Sequence, residues 1–221
     1  MSREFRTALV TGGASGIGAA TAALLEAEGC EVRSLDLATG FDVADAAAWE
    51  EVWPVDFAFL NAGVSTGQPA IAELTDALYR RAVSANVDGV VFGVRRMARV
   101  MEPGSSIVAT ASLAGLMAMP LDPIYSLTKH AVVGFVRAVA PQLAERGISI
   151  NALCPSFADT PIVGEELRGW VAEQGWELIP AERVAEAALA AARSEDTGQA
   201  WVVQIGREPL VYEFRGVPGP R

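Results

Sequence analysis

Short apolar runs alternate along the chain with longer segments in which apolar residues recur at helical spacing. The short runs predict strands at residues 7–11, 30–36, 56–63, 105–112, 148–155 and 198–206. The longer segments predict helices at residues 15–29, 75–101, 123–147 and 180–194. Strands that alternate with helices favour a parallel sheet covered on both faces, with right-handed crossovers. We therefore expect an α/β fold, a doubly wound parallel sheet, as a single domain over residues 1–206.

Two stretches depart from this alternation. Between the second and third strands, "LATG" (37–40) has room only for a turn. "ADAAAWEEVW" (44–53) has room for at most about three helical turns at 3.6 residues per turn. The expected sheet is therefore trimmed between its second and fourth strands. Residues 207–221 form a C-terminal tail rich in proline and glycine, which either frays or folds over a partner subunit.

Composition and charge exclude several classes of partner. The chain has 221 residues, of which 51% are hydrophobic, and a formal net charge of −10. A general nucleic-acid-binding protein would show a basic patch, and an anionic membrane surface would repel this charge. The longest uncharged apolar stretch, residues 113–121, is far shorter than the roughly 20 residues that span a bilayer. Since the polar start "MSREFRT" has no apolar signal core, we expect a cytoplasmic protein without a nucleic-acid or membrane partner.

The chain has two cysteines, Cys30 and Cys154. Two cysteines form neither a disulfide framework nor a metal-ligand set. We therefore expect two reduced, partly buried thiols and no metal site.

A glycine-rich turn stands between the first predicted strand and the first predicted helix. Glycine tolerates positive φ and lets other atoms approach its backbone closely, at a cost in conformational entropy. The amino end of a helix presents unpaired N–H groups and a partial positive charge, so a pyrophosphate group fits against such a turn. The candidate contacts of this turn are Gly12, Ser15, Gly16, Ile17 and Gly18. A glycine turn that follows a strand and opens a helix predicts a dinucleotide cofactor.

Asp36 ends the second predicted strand, eighteen residues after Gly18. At an offset of about 20 residues, an acidic side chain binds the adenosine ribose of a dinucleotide. A carboxylate there would repel a 2′-phosphate, which favours NAD over NADP. No arginine follows Asp36 directly, although Arg33 is near. The alternative interpretation is a surface aspartate at a strand end.

Tyr125 and Lys129 are four residues apart on a predicted helix and so share a face. A nearby ammonium lowers the tyrosine pKa from about 10 towards the range useful for general acid–base catalysis. Alone, such a pair is also typical of an ordinary helix. Ser112, thirteen residues before Tyr125, lies at the carboxyl end of a strand, where parallel sheets bind ligands. The single histidine, His130, faces about 100° away from Lys129, so we expect it to have a structural or surface role.

Further motifs follow the glycine turn in order. The turn reads Thr-Gly-x-x-x-Gly-x-Gly, and after it come "LNAG" at 60–63, "ANVDG" at 85–89, Ser112, "YSLTK" at 125–129 and "NALCPSFADTP" at 151–161. Together, these motifs resemble the classical short-chain dehydrogenase/reductase family over about residues 5–206. The resemblance implies a Rossmann fold and an oxidoreductase in which a nicotinamide cofactor carries the hydride.

The resemblance also implies roles for four side chains. Ser112 hydrogen-bonds the substrate oxygen, and Tyr125 removes the hydroxyl proton in oxidation or donates one in reduction. Lys129 holds the nicotinamide ribose and lowers the tyrosine pKa. Asn86 helps to hold a water that links Lys129 to solvent. From the residues alone, Asn86 is a polar residue within a helix, for which a local backbone hydrogen bond is the preferred interpretation.

Further cofactor contacts are implied in the same way. They are the turn Asn61, Ala62 and Gly63 at the adenosine ribose, Asp42 and Val43 at the adenine, and Pro155 and Thr160 beside the nicotinamide carboxamide. Ser156 stands where the family usually has a glycine. If the backbone there needs a positive φ, serine is strained and the loop shifts.

Two apolar segments flank the predicted site. Residues 113–121 and 161–179 are rich in Leu, Met, Ile and Trp. They favour an apolar or aromatic secondary alcohol or ketone over a phosphorylated sugar, unless these side chains simply pack a lid. We therefore predict an NAD-dependent dehydrogenase/reductase that transfers a hydride between NAD and a small secondary alcohol or ketone.

Two other functions are weighed against this prediction. A nucleotide-sugar epimerase or dehydratase is disfavoured by the glycine spacing and the short substrate region. A dinucleotide-binding sensor or scaffold without turnover would not need to retain Ser112, Tyr125 and Lys129 together.

Small residues recur on the helix predicted at 123–147, at Ala131, Gly134 and Ala138. They allow either close packing between subunits or close packing on the sheet. Since members of the resembling family are commonly dimers or tetramers, we expect a homodimer or homotetramer.

Overall fold

A seven-stranded sheet forms the centre of the molecule, in the order β2-β1-β3-β4-β5-β6-β7. The computed structural model describes residues 3–216; residues 1–2 and 217–221, the last part of the expected tail, lie outside the described residues. The strands are β1 (Thr7–Thr11), β2 (Glu31–Leu35), β3 (Phe57–Leu60), β4 (Ser106–Thr110), β5 (Ser149–Pro155), β6 (Ala200–Val203) and β7 (Leu210–Val211). β1 to β6 run parallel, and β7 pairs antiparallel with β6. The predicted doubly wound α/β fold is confirmed.

Helices cover both faces of this sheet. They are α1 (Gly16–Ala27), α2 (Asp76–Val83), α3 (Gly89–Val100), α4 (Pro123–Ala144), α5 (Glu165–Glu173) and α6 (Ala181–Arg193). The helix predicted over 75–101 begins as expected, with Thr75 capping α2, but a π-helical segment, Ser84–Asp88, separates α2 from α3. α4 continues through Pro141. Within residues 3–216, every helix is too short or too polar to cross a membrane.

The apolar core lies in two layers, one on each face of the sheet. On β3, Ala58 and Leu60 belong to the layer under α3 and α4, whereas Phe57 and Phe59 belong to the layer under α1 and α6. Successive side chains of a strand point to opposite faces, so both sets are buried at once. This is why β3 is a continuous apolar run in the sequence.

The segment between β2 and β3 contains two short 3-10 helices, Leu37–Thr39 and Ala48–Glu51, in place of an α-helix. Trp49 fixes this segment to the core, because its side chain is fully buried and its Nε1 donates to the Val43 carbonyl oxygen at 2.9 Å. Phe41 packs edge-on against the Trp49 ring, with centroids 5.2 Å apart. β2 is the outer strand of the sheet, as the predicted trimming requires.

The described part of the C-terminal tail is folded. Leu210–Val211 form β7 on the edge of the sheet. Phe214 packs against the core, and the Arg137 guanidinium carbon lies 3.7 Å from its ring centroid. Residues 210–211 therefore extend the same sheet, which neither expectation for the tail, fraying or folding over a partner subunit, included.

α5 was not predicted, and it lies inside the apolar segment 161–179. Trp170 of α5 belongs to an aromatic cluster with Phe157, before the helix, and Trp176, after it. The rings of Phe157 and Trp176 stack with centroids 6.2 Å apart, and Trp170 packs edge-on against Trp176 at 5.5 Å. The segment is thus a helix held by aromatic packing.

The small residues of α4 do not pack on the sheet. Gly134 and Ala138 are exposed, and Ala131 is half-buried. A Cβ atom built at Gly134 would have no neighbour within 4 Å. Close packing on the sheet is therefore wrong for Gly134 and Ala138, and both lie on the outer face of the helix.

Candidate active site

The glycine turn between β1 and α1 has the backbone that its sequence predicts. Gly12 and Gly16 have φ values of +67° and +52°, in the left-handed region that favours glycine. A Cβ atom built at Gly18 would overlap the carbonyl oxygen of Gly12. All three glycines are therefore required by the turn itself.

The first turn of α1 is open to an anionic ligand. Ser15, the N-cap residue, is exposed and its side chain caps no backbone N–H group. Ile17 is buried in the core, so only its backbone is available to a ligand. Unpaired N–H groups at a helix amino end bind phosphate groups. The residues present thus fit the diphosphate of a dinucleotide.

Two other predicted contacts touch this turn. A Cβ atom built at Gly16 would lie 2.9 Å from Cγ2 of Thr160, and one built at Gly12 would lie 3.0 Å from Cα of Ala62. Thr160 is buried and reaches the turn from the loop after β5. The structure therefore brings residues from the carboxyl ends of β1, β3 and β5 together.

Asp36 joins the end of β2 to the glycine turn. Its Oδ2 accepts a hydrogen bond from the Ala14 N–H group at 3.1 Å, and its Oδ1 accepts from Ala38 at 2.9 Å. The nearby Arg33 has its guanidinium over the Trp53 ring, 4.4 Å from the centroid. A half-buried carboxylate therefore lies at the rim of the turn, where a ribose contact was predicted.

The predicted adenine contacts are placed less favourably. Asp42 is exposed and its Oδ1 accepts from the Ala44 N–H group at 2.9 Å. The Val43 side chain is buried in the core, where a Cβ atom built at Gly89 would lie 2.8 Å from its Cγ2. Only the exposed carboxylate and the backbone here are available to a ligand.

Two buried threonines, which the sequence analysis missed, hold the turn after β3. The Thr11 hydroxyl oxygen accepts from the N–H groups of Asn61 and Ala62 at 2.9 and 3.0 Å. The Thr110 hydroxyl donates to Oδ1 of Asn61 at 3.1 Å. Each threonine ends a buried strand, and that position was the available signal.

Asn86 makes long-range hydrogen bonds from the π-helical segment. It is fully buried; its Oδ1 accepts from the Val64 N–H group at 2.7 Å, and its Nδ2 donates to the Val64 carbonyl oxygen and to Thr128 Oγ1. A Cβ atom built at Gly63 would lie 3.0 Å from Oδ1 of Asn86 and 3.4 Å from Nζ of Lys129. The local backbone hydrogen bond considered for Asn86 is therefore wrong. π-Helical segments are frequent at functional sites.

Ser112, Tyr125 and Lys129 meet at the carboxyl ends of β4 and β5. The Ser112 hydroxyl donates to the Pro155 carbonyl oxygen at 3.4 Å and lies near the Tyr125 phenol. Lys129 is buried, and its ammonium donates to the Thr110 carbonyl oxygen at 2.7 Å. Its Nζ lies 5.4 Å from the Tyr125 ring centroid.

Burial dominates the proton affinities of this pair. It raises the pKa of Tyr125 to about 12, although the nearby Ser112 hydroxyl opposes the shift. It lowers the pKa of Lys129 to about 8. The prediction of a tyrosine pKa lowered by Lys129 is therefore wrong for this structure, because loss of solvent raises the Tyr125 pKa and Lys129 is not among the groups that shift it.

Both cysteines are free and buried. Burial raises the pKa of Cys154, on β5 beside Ser112, to about 12, and that of Cys30 to about 11. Both groups are therefore neutral thiols near neutral pH. Among residues 3–216, the His, Cys, Asp and Glu side chains form no group of three that could hold a metal ion.

The remaining sequence departures are mild. Ser156 donates its N–H group to the Val203 carbonyl oxygen at 2.9 Å, and in the described part of the chain positive φ is confined to glycines. The condition for strain at Ser156, a positive φ, is therefore not met. His130 is exposed, and its Nδ1 bonds the Ser126 carbonyl oxygen at 2.9 Å.

Comparison with known proteins gives the family. The model of the enoyl-(acyl carrier protein) reductase family matches residues 35–204. Levodione reductase from Leifsonia aquatica is 31% identical over 221 residues, which cover 82% of this chain and 83% of that protein. The chain belongs to the short-chain dehydrogenase/reductase family. As a short-chain dehydrogenase/reductase, it is an oxidoreductase of the class that acts on alcohols and ketones, and this family binds NAD(P).

Two further short-chain dehydrogenase/reductases match most of the chain. Borneol dehydrogenase, mitochondrial, from Lavandula x intermedia is 32% identical over 223 residues, covering 87% of this chain and 85% of that protein. The crystal structure of a glucose/ribitol dehydrogenase from Brucella melitensis has a TM-score of 0.82 and 28% identity, covering 93% of this chain and 98% of that one. The likeness therefore extends over almost the whole sheet.

Proposed function

We propose that this protein is an NAD-dependent dehydrogenase/reductase that transfers a hydride between NAD and a small secondary alcohol or ketone. The observation that carries the proposal is the convergence of Ser112, Tyr125 and Lys129 at the carboxyl edge of the sheet, beside an uncapped glycine turn. Bound nicotinamide supplies the hydride chemistry, and the protein supplies orientation and proton transfer.

Tyr125 is the proposed general acid and base. With a pKa raised to about 12 by burial, its phenol is protonated at neutral pH and can donate that proton from Oη to a carbonyl oxygen during reduction. In oxidation the same oxygen receives the hydroxyl proton. The Ser112 hydroxyl, within reach of the phenol, orients the substrate oxygen.

Lys129 supports this proton transfer through its buried amine. Its Nζ donates to the Thr110 carbonyl oxygen and lies beside Gly63, in the turn proposed to contact the adenosine ribose. Its proposed role is to hold the nicotinamide ribose. Asn86 fixes the backbone at Val64, next to this ammonium, and we retain its proposed part in a water link from Lys129 to solvent.

The preference for NAD over NADP is proposed from Asp36. Its carboxylate is held at the rim of the glycine turn by two backbone N–H groups, so it cannot easily turn away from an adenosine ribose. A 2′-phosphate at this place would meet a like charge, which costs several kcal/mol when the charges are in contact.

The substrate is proposed to be apolar. Met117, Ile162 and Trp176 are exposed on the two segments that flank the site. Small-molecule pockets are lined mainly by apolar and aromatic side chains. Two of the relatives are named for levodione and borneol, which agrees with a small, uncharged alcohol or ketone.

A homodimer or homotetramer is also proposed, since Gly134 and Ala138 lie on the exposed face of α4, where a second subunit can approach closely. Two unpaired cysteines agree with the reducing cytoplasm as its location. The domain is proposed to be one catalytic unit over residues 1–206 with the tail 207–221 attached to it.

The test combines binding and turnover. NADH and NADPH are titrated against the fluorescence of the five tryptophans, and a panel of secondary alcohols is assayed with NAD. Tyr125→Phe should bind NADH like the wild type but turn over at least about a hundredfold more slowly, the lower range for general acid–base catalysis. Tyr79→Phe, on the exposed face of α2, is the matched control and should not change the rate.

An unchanged rate in Tyr125→Phe would overturn the proposal. NAD binding without turnover on a broad panel, with no effect of Tyr125→Phe, would instead support a dinucleotide-binding sensor or scaffold.

A further inference from the structure

One carboxylate before α4 gathers hydrogen bonds from two parts of the chain. Asp122 is only 6% exposed. Its Oδ1 accepts from the Tyr125 N–H group at 2.9 Å and from the Thr66 hydroxyl at 2.6 Å. Its Oδ2 accepts from the Ser65 hydroxyl at 2.7 Å and from the N–H groups of Thr66 and Gly67 at 2.7 and 3.0 Å. The carboxylate therefore joins the segment after β3 to the first turn of α4.

All five partners of this carboxylate donate a hydrogen bond to it. An ionised carboxylate only accepts, whereas a protonated one carries a donor of its own, so the ionised form satisfies these partners best. Burial alone would raise the pKa of Asp122, but the hydrogen bonds from Thr66, Tyr125, Ser65 and Gly67 hold it below its usual value. A charge-assisted acceptor of this kind is stronger than a neutral one. The link is thus rigid at neutral pH.

Asp122 completes a series of anchors along one stretch of backbone. Thr11 holds Ala62, and Asn86 holds Val64 by both of its backbone groups. Asp122 holds the next three residues, 65–67. This stretch passes the proposed cofactor turn at one end and the start of the helix that carries Tyr125 at the other.

We propose that Asp122 is a positioning residue that locks residues 65–67 to the first turn of α4 and so fixes Tyr125 relative to the turn after β3. This inference rests on the proposed role of Tyr125 as general acid and base. The sequence contains a signal for the bond to α4, since an aspartate before a helix-initiating proline is a typical N-cap. The bonds to residues 65–67 join positions more than fifty residues apart.

Asp122→Asn distinguishes the bond to the first turn of α4 from the bonds to residues 65–67. The asparagine oxygen can still cap α4 by accepting from Tyr125, since asparagine is a good N-cap residue. Its NH2 group, in the place of Oδ2, would face the N–H groups of Thr66 and Gly67, and two donors cannot bond each other. The variant therefore keeps the cap and releases the loop.

Asp56→Asn is the matched control. Oδ2 of Asp56 also accepts from two backbone N–H groups, those of Arg6 and Thr7, at 2.9 and 3.0 Å. Asp56 immediately precedes β3, at the opposite end of the sheet from the site. Asp56→Asn therefore makes the same chemical change and can lower stability in the same way, but it leaves the bonds between Asp122 and residues 65–67 intact.

We expect three results from the comparison of Asp122→Asn with Asp56→Asn. In hydrogen exchange, the amides of Thr66 and Gly67 lose protection in Asp122→Asn, while the Tyr125 amide keeps it. The kcat/KM for alcohol oxidation falls at least about tenfold, because a misplacement of about 1 Å at a reacting group can cost about a hundredfold. Asp56→Asn changes neither the protection of these amides nor kcat/KM.

The pH profile supplies a readout that a purely structural role would not move. Burial raises the pKa of the Tyr125 phenol, and the charge of Asp122 raises it further. The other groups that face the phenol are the Ser112 hydroxyl, the neutral Cys154 thiol and the Lys129 ammonium. Asp122→Asn removes the negative charge, so the rise of log kcat/KM for alcohol oxidation, which follows the loss of the Tyr125 proton, should move to lower pH.

Equal kcat/KM values and pH profiles in Asp122→Asn and Asp56→Asn would overturn the proposal. Wild-type exchange rates at Thr66 and Gly67 in Asp122→Asn would overturn it as well. If Asp122→Asn does not fold, Thr66→Val is the variant to test, because it removes one hydroxyl that donates to Asp122. Unchanged kcat/KM together with unchanged hydrogen exchange in residues 65–67 would then overturn the proposal. If the wild type oxidises no alcohol, the proposed function fails, and the exchange experiment still decides whether the link exists.

Discussion

The ammonium of Lys129 donates a hydrogen bond to the main-chain carbonyl oxygen of Thr110 at 2.7 Å. A buried cation on α4 is thereby held at the carboxyl end of β4, at the same edge of the sheet as the glycine turn after β1. Lys129 is also the only lysine among the 221 residues of the chain. Its protonation can therefore be followed without interference from other lysines.

Lys129→Met should change how stability depends on pH. In the folded protein burial lowers the pKa of Lys129 to about 8, against 10.5 for a free lysine. Between these values the unfolded chain binds more protons, so this group makes the wild-type free energy of unfolding rise with pH. The variant lacks that contribution. We expect its stability relative to the wild type to be greatest below about pH 8 and to decline towards pH 10.5.

Urea unfolding of both proteins at several pH values measures this difference, and other titrating groups cancel in the comparison. A constant difference across the range would show that the amine has an ordinary pKa. Turnover should be lost in Lys129→Met at every pH if the proposed role of this side chain is right.

Gly18→Ala should destabilise the protein by about 1–3 kcal/mol, the usual cost of overpacking, since its Cβ would overlap the Gly12 carbonyl oxygen. It should also abolish NADH binding. Gly169→Ala on α5 is the control, because its Cβ would meet nothing within 4 Å and alanine favours a helix over glycine by about 1 kcal/mol. Chemical unfolding measures both. Similar effects of the two substitutions would contradict the tight geometry of the turn.

Asp36→Asn should weaken the preference for NAD. The asparagine oxygen can still accept from the Ala38 N–H group, but the charge facing a 2′-phosphate is removed. We expect the ratio of NADPH to NADH affinity to rise about tenfold, which corresponds to about 1.4 kcal/mol. Fluorescence titration measures it. Asp45→Asn, a surface carboxylate that accepts from the Ala47 N–H group, should leave the ratio unchanged. An unaltered ratio in Asp36→Asn would remove the argument for NAD.

Neither thiol should react in the folded protein. Cys30 and Cys154 are buried, and burial raises their pKa values to about 11 and about 12. Since the thiolate is the reactive form, a disulfide reagent at pH 8 should titrate two thiols per chain only after a denaturant is added. Fast reaction of one thiol without denaturant would show an opening of the sheet near that residue.

Much of this architecture could be predicted from the sequence, because a strand buried on both faces must be apolar at every position. The run at β3 is apolar at every position, from Phe57 to Leu60, and both layers of the core need it. The four-residue spacing of Tyr125 and Lys129 likewise follows from helical geometry alone. These features depend on neighbours within one turn or one strand.

The features that sequence reasoning missed depend on distant partners. The three bonds that hold Asn86, two across 22 residues and one across 42, have no local pattern, and neither do those between Asp122 and residues 65–67. The raised pKa of Tyr125 reflects loss of solvent, which spacing does not report. α5 was a different case, because Glu165 and Glu166 in its first turn and Gly175 after its end were typical helix signals.

The position of β2 at the outer edge of the sheet has a consequence for solubility. Along the described chain no further strand covers the outer side of β2, so its free N–H and C=O groups are a template on which another polypeptide can pair. Glu31 is exposed on that strand, and Arg33 is spread over the Trp53 ring beside it. Charged side chains on a border strand discourage such pairing. Replacing both with apolar residues would turn a protected border into a seed for fibrous aggregation.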